Sequence, residues 1–233
     1  MKLPGFLRPP PMFSHEKALQ RLASFGFAPK IIYDVGAFHG YWTKAAKKVF
    51  PRAQYMLFEA NPDNAVKLAE TGERHLIAAL AAADKASRTF YLPKSAVGTG
   101  ASLYREQTEH YAGDNLRAVS VTTRRLDALV ADERLPMPDL IKLDVQGAEL
   151  DVLAGAGDVL THTSALIAEL SLLTHNEGAP LFAQVVEGID RLGFKCADVC
   201  DVLRADNGGV MQIDLLFVKP ALFEKFRSAA GLR

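Results

Sequence analysis

Short apolar runs recur along the chain at 31 to 35, 54 to 58, 75 to 80, 139 to 143, 165 to 169, 195 to 199 and 213 to 218. Most lack strict alternation, as strands buried on both faces do. Between the early strands, apolar positions fall at helical spacing over about 41 to 50, 62 to 71, 125 to 131, 147 to 154 and 179 to 192. This order predicts an α/β fold with a mainly parallel seven-stranded sheet, helices on both faces and a ligand crevice at the carboxyl ends of the strands. The last two strands differ, because only Asp201 to Gln212 separates them and that stretch holds Asp206-Asn207-Gly208-Gly209. Such a turn predicts an antiparallel C-terminal hairpin.

Ahead of the first strand, Ala18, Leu19, Leu22, Ala23 and Phe25 share a helical face, and Gly26 is a stop signal. Residues 1 to 30 are therefore expected to form an N-terminal arm and docking helix, and residues 31 to 233 one domain. Residues 93 to 118 fit no element and read as a long irregular insertion on the substrate side.

Composition narrows the function. The 27 basic residues cancel the 27 acidic ones, so no global field draws a polyanion, and nucleic acid is not an expected partner. Prolines at 4, 9, 10 and 11 interrupt the N-terminus before it reaches signal-peptide length, and no stretch approaches the roughly 20 apolar residues of a membrane span. A cytoplasmic protein is expected. Cys196 and Cys200, four residues apart with no Cys or His cluster nearby, read as packing thiols.

The turn after the first strand carries the strongest cofactor signal. Asp34-Val35-Gly36-Ala37-Phe38-His39-Gly40 has the spacing Asp-x-Gly-x-x-x-Gly, and Phe38 and His39 occupy positions where a dinucleotide site needs a second glycine. A cofactor without a pyrophosphate, such as S-adenosylmethionine, fits better. Asp34 is placed to bind the turn's amides or a cofactor ammonium, while Gly36 and Gly40 permit close approach of backbone. Glu59 ends the next strand 19 residues after Gly40, the register of a carboxylate that accepts from a ribose diol. In the third strand's exit, Ala81-Ala82-Ala83 leaves room for a flat ring, which makes Ala82 a candidate adenine contact.

A second block, Asp139-Leu140-Ile141-Lys142-Leu143-Asp144-Val145-Gln146-Gly147-Ala148-Glu149, puts a cation and a carboxylate on one face of a central strand. Burial of Lys142 requires a partner, and Asp144, Glu149 and Glu169 are the candidates. Asp144 ends its strand at the crevice and faces the reacting edge. His175, in the loop after Glu169-Leu170-Ser171, has the intrinsic pKa for proton transfer near neutrality. Asp144, Glu169 and Asn176 offer hard oxygen ligands, but nothing in their spacing demands a metal, and none is expected.

At these residues the chain resembles the FkbM-type methyltransferase family. The likeness is carried by IIYDVGAFHGYWT with FEANP downstream, by DLIKLDVQGAELDVLAGA and by ALIAEL, over roughly residues 31 to 170. The resemblance implies a Rossmann-like class I methyltransferase fold and O-methyl transfer from S-adenosylmethionine to a small-molecule hydroxyl. It further implies that Asp34, Gly36, Ala37 and Gly40 line the methionine part of the cofactor, with Phe38 and Ala60 beside the same cradle, Glu59 at the ribose and Asp144 near the methyl. Gln146 stands where many members have glutamate, which shifts the expected base to Asp144, with His175 second.

The polar, aromatic run 104 to 118 favours a saccharide or glycan precursor as acceptor. A polyketide or other natural product is the alternative substrate, and a non-catalytic cofactor-binding partner subunit the alternative from another class. A nicotinamide-dependent oxidoreductase is the third reading, disfavoured by the missing glycine. Oligomeric state is left open.

Overall fold

The computed structural model describes residues 14–94, 100–108 and 115–231. Helix α1 (His15–Ser24) starts at Ser14, whose hydroxyl accepts from the Lys17 amide at 3.2 Å. Its buried face, Ala18, Leu19 and Leu22, packs in one core with Ile32, Leu140 and Ile167 of the sheet. The proline arm before it lies outside the described residues.

There follow β1 (Ile31–Val35), α2 (Tyr41–Val49), β2 (Gln54–Glu59), a 3-10 turn (Pro62–Asn64), α3 (Ala65–Ala69) and β3 (Arg74–Ile77). Next come β4 (Ala79–Leu80), β5 (Ser87–Pro93), β6 (Leu116–Arg124), α4 (Leu126–Asp132), β7 (Leu140–Leu143), α5 (Glu149–Ala154) and α6 (Val159–His162). The described chain ends with β8 (Ala165–Ser171), α7 (Phe182–Arg191), β9 (Lys195–Arg204), β10 (Val210–Val218) and α8 (Pro220–Ala229).

Seven strands form one sheet in the order β3-β2-β1-β7-β8-β10-β9. The pairs from β3 to β8 are parallel, whereas β10 runs antiparallel to both β8 and β9. This is the Rossmann-like sheet closed by a C-terminal hairpin. Alternate residues feed two cores: Tyr33, Ile141 and Leu166 pack with α4, α5 and α7, and Ile32, Leu140 and Ile167 with α1, α2 and α8. Strand order reverses between β1 and β7, so the crevice opens at their carboxyl ends.

Two expectations change. The run 75 to 80 is not one strand: β3 stops at Ile77, the Ala78 amide donates to the Glu59 carbonyl at 2.8 Å, and Ala79–Leu80 leave to pair with β6. The stretch 93 to 118 is not a wholly irregular insertion either. Its ends belong to β5 and β6, which pair antiparallel from Ser87↔Thr122 to Pro93↔Leu116 and make a second, three-stranded sheet with β4. Phe90 and Leu92 point into a small core with Leu103 and Ala148, while their neighbours are more exposed. That alternation is a half-buried strand pattern. Residues 100–108 lie against this sheet through the Tyr91↔Ser102 bridge, and Glu106↔Asn176 ties them to the loop after β8; residues 95–99 and 109–114 of the predicted insertion lie outside the described residues.

Candidate active site

The turn after β1 is held by backbone. The Gly36 and Ala37 amides donate to the Phe58 carbonyl at 2.9 and 3.0 Å, and the Phe38 amide donates to Glu59 Oε2 at 2.7 Å. Glu59 Oε1 accepts from the Asn61 amide at 2.8 Å, so this one carboxylate joins the β1 turn to the end of β2. Burial pushes its pKa up, and the amide donors pull it back. Gly36 has φ +77° and faces the neighbouring strand: a Cβ there would lie 1.8 Å from the Asp144 carbonyl oxygen. Its missing side chain thus makes room for β7. Gly40, with φ +72° at the start of α2, faces Thr71 Cγ2, which a Cβ would meet at 2.7 Å.

Asp34 is fully buried behind this turn. Its Oδ2 accepts from Thr43 Oγ1 at 2.6 Å, Oδ1 has no hydrogen-bond partner, and Lys142 Nζ is 3.9 Å from Oδ1. Asp34 pairs with Lys142 in the β1/β7 register, which explains their meeting. Burial raises its pKa against the opposing pull of Lys142 and Thr43.

A cavity of about 540 Å³ opens at the carboxyl ends of β1, β2 and β7, within the range of small-molecule sites. One end is walled by Gly36, Ala37, Phe38, Glu59 and Ala60, with Ala78 to Leu80 below and Phe90 and Leu103 from the second sheet. The other end carries Lys142, Asp144, Gln146, Glu169 and Gln212, rimmed by His15, Trp42 and Leu203, while Tyr41 stands beside Phe38 with ring centroids 6.1 Å apart.

The second end is a charge network. Lys142 is buried and donates to Asp144 Oδ2 at 2.7 Å; burial lowers its pKa, but the Asp144 and Asp34 charges outweigh that and raise it. For Asp144 burial raises the pKa, yet the Lys142 charge and hydrogen bonds from Lys142 and Gln146 hold it below the usual carboxylate range. Gln146 sits at φ +53°, a left-handed conformation uncommon for a side-chain-bearing residue. From there its Nε2 donates to Asp144 Oδ1 at 2.9 Å and to Glu169 Oε1 at 2.6 Å. Glu149 Oε1 fixes the turn by accepting from the Val145 and Gly147 amides at 3.1 and 3.2 Å. His15, from α1, meets Asp214 Oδ2 at 2.6 Å through Nε2 and accepts from Trp42 Nε1 at 3.2 Å.

Several predicted site residues lie elsewhere than expected. Asp34 and Gly40 do not line the cavity, and Asp34 binds none of the turn's amides, because the carbonyl of Phe58 and the carboxylate of Glu59 take them. Ala82 is exposed past the end of β4; the small corner at the cavity is Ala78 to Leu80. His175 is buried off the cavity, with Nε2 facing the Gln212 amide and the Ser171 hydroxyl, each at 3.3 Å. Lys142 pairs with Asp144 as one of its named candidates, and with Asp34 besides, while Glu149 and Glu169 hold amides instead.

His15, Trp42, Gln212 and Asp214 were not predictable as neighbours, since 199 residues separate His15 from Asp214. One signal was present: Gln212 and Asp214 alternate on the hairpin strand beside β8, where a polar pair in an apolar run faces the crevice. Among the described residues, no group of three or more His, Cys, Asp or Glu is arranged to hold a metal ion, and no helix is long and apolar enough to cross a membrane.

Residues 34–196 match the methyltransferase FkbM domain family. The 2-O-methyltransferase NoeI of Sinorhizobium fredii is 30% identical over 153 residues, which are 60% of this chain and 63% of that protein. Among solved structures, magnesium protoporphyrin IX methyltransferase from Synechocystis PCC 6803 with bound SAM is 10% identical, with TM-score 0.49, over 88% of this chain and 77% of that one. The N-methyltransferase NodS from Bradyrhizobium japonicum WM9, in complex with S-adenosyl-L-homocysteine, is 9% identical, with TM-score 0.48, over 88% and 85%.

Proposed function

Because this chain belongs to the FkbM methyltransferase family, we propose that it transfers a methyl group from S-adenosylmethionine to a hydroxyl of a small molecule, a saccharide or glycan precursor. The observation that carries this reading is the two-ended cavity at the β1/β7 crevice, apolar and small-walled at one end, polar and aromatic-rimmed at the other. At the first end, Gly36, Ala37 and Phe38 shape the cradle, Glu59 and Ala60 form the wall after β2, and Ala78 to Leu80 leave space for a flat ring. The Glu59 oxygens keep lone pairs beyond the two amides they accept, so ribose hydroxyls can donate to them.

The bound cofactor supplies an activated methyl group on a sulfonium. Asp144, kept ionised by Lys142, contributes fixed negative charge at the edge between the two ends. Orientation of the acceptor hydroxyl is the protein's larger task, worth up to roughly 7–11 kcal/mol in well-aligned systems. Trp42, beside His15 at the rim, offers a ring face to a sugar's C–H surface, and Gln146, Glu169 and Gln212 offer hydrogen bonds to its hydroxyls. Oxygen as the methylated atom is supported by the relative described as a 2-O-methyltransferase.

The test has two arms. Calorimetry with S-adenosylhomocysteine should give saturable binding that Glu59→Ala weakens. Methyl transfer from labelled S-adenosylmethionine should then be compared between methyl glycosides with short oligosaccharides and a set of phenolic and polyketide alcohols. Incorporation only into the second set would overturn the saccharide assignment and leave O-methyl transfer standing. Tight cofactor binding with no incorporation into any acceptor would favour a non-catalytic subunit.

A further inference from the structure

The carboxylates around the cavity differ in what occupies their oxygens. Asp144 has both engaged, Oδ2 by the Lys142 ammonium at 2.7 Å and Oδ1 by the Gln146 amide at 2.9 Å. Glu59 likewise holds one backbone amide on each oxygen. His175 lies off the cavity, and its Nε2 faces the Gln212 amide at 3.3 Å. Glu169 is different: it lines the cavity, and both donors that reach it, Gln146 Nε2 at 2.6 Å and Gln212 Nε2 at 2.5 Å, converge on Oε1. Among the described residues no donor engages Oε2.

Resting on the methyl-transfer reading above, we propose that Glu169 accepts the proton of the acceptor hydroxyl through Oε2, and that Gln146 and Gln212 are positioning residues that hold Oε1. As the acceptor oxygen bonds to the methyl carbon, the carbon–sulfur bond breaks and its electron pair stays on sulfur. The hydroxyl proton passes to Glu169 and then to water. The left-handed backbone of Gln146 fits this arrangement, since strained conformations persist where the surrounding structure demands a particular side-chain direction. A glutamate at 146 would put a third carboxylate between Asp144 and Glu169 and remove the donor that joins them.

The electrostatic surroundings agree with the geometry. Burial raises the Glu169 pKa first, the Asp144, Asp214 and Glu149 charges raise it further, and Lys142 opposes them. Asp214 is its partner in the β8/β10 register and is itself bound by His15 from α1, while His175 lies across Gln212. Glu169 therefore titrates well above the usual carboxylate range, closer to the pH at which a base must work, whereas Asp144 is held low and is a weak base.

The experiment uses the full chain with S-adenosylhomocysteine as probe and labelled glutamate carboxyl carbons as an NMR readout, alongside methyl transfer to methyl glycosides and short oligosaccharides. One glutamate signal should titrate well above about 4.3 and vanish in Glu169→Gln, with Glu149→Gln and Glu59→Gln used to assign the other two raised glutamates. Glu169→Gln should keep S-adenosylhomocysteine affinity within about threefold, lower kcat by roughly 10²- to 10⁴-fold and abolish the rise of rate with pH. Glu169→Asp should restore part of the rate. An ordinary titration of Glu169, or more than a tenth of the rate surviving in Glu169→Gln, overturns the assignment while cofactor binding leaves the parent reading intact. Failure of the unaltered protein to bind S-adenosylhomocysteine sinks both. Should the variant not fold, the titration of the unaltered protein still decides.

Discussion

The two ends of the cavity are made of different material. At the end proposed for the cofactor the structure is backbone: the amides of residues 36 to 38 end on a carbonyl and a carboxylate of the neighbouring strand, and glycine and alanine form much of the wall. At the end proposed for the acceptor it is side chains, delivered by α1, β7, β8 and β10 and joined by hydrogen bonds between ionisable and amide groups. The first end stores a shape and the second stores charge. A shape fails when an atom is added, and a charge network fails when a partner is removed, so the two should break separately.

The largest effect is expected from adding one carbon at the first end. Gly36→Ala puts a Cβ 1.8 Å from the Asp144 carbonyl oxygen at a φ of +77°, so β1 and β7 must part. A loss of at least about 4 kcal/mol in urea unfolding is expected, because steric conflict with backbone at a special φ is among the few causes of effects that large. Removing one partner at the other end comes next. Lys142→Met leaves the fully buried Asp34 and the cavity-facing Asp144 without their cation, at a cost of about 3 kcal/mol at neutral pH. Asp144, lowered in the fold, adds stability that is present above its unfolded pKa and lost as pH falls through its folded value. In Lys142→Met that loss on acidification should be smaller. Equal acid sensitivity in both proteins would show that the pair is not what holds Asp144 ionised.

The same contrast explains what could be read from the chain. Gly36, Glu59 and the central strand block are legible because a backbone-made site writes its needs locally: a positive φ wants glycine, and a strand-end carboxylate lies at a fixed register from the turn. The backbone whose close approach Gly36 permits is that at the end of β7. Asp34 was misjudged, its cation partner being a cross-strand neighbour 108 residues away. Glu169 was visible only as a candidate partner of Lys142 and a hard oxygen ligand at a strand end, because its meaning depends on two amides brought from a turn and a hairpin. The second sheet escaped for want of register, as β5 and β6 alternate in burial but no short turn joins them, and Ser102 between them bridges back to Tyr91.

The turn that carries Gln146 is where the two materials meet, and Glu149 probes it. Its pKa is pushed up to about 7, chiefly by burial, against the pull of the amides it accepts. A carboxyl raised in the fold contributes stability that is complete below its unfolded pKa, about 4.3, and lost as pH rises through the folded value. Glu149→Gln keeps an acceptor oxygen for the Val145 and Gly147 amides without the charge. Between pH 4.5 and 8, urea unfolding should show the unaltered protein losing on the order of 1–3 kcal/mol relative to the variant. A parallel pair of curves would mean that the turn is solvated.

The smallest effect, and the sharpest division of the two ends, is expected at His15. Its ring is held by Asp214 at 2.6 Å and by the Trp42 indole at 3.2 Å, and it brings α1 to the rim of the acceptor end. His15→Ala removes two partly solvated hydrogen bonds and leaves the buried face of Ala18, Leu19 and Leu22 in place, so about 1 kcal/mol of stability should be lost. Because among the described residues His15 bonds to Asp214 and Trp42 and to no residue of the proposed cofactor end, S-adenosylhomocysteine affinity should be unchanged, while the KM for a glycoside acceptor rises several-fold and kcat moves little. A matched fall in S-adenosylhomocysteine affinity would mean that the cofactor reaches across to α1, and the cavity would then have one end rather than two.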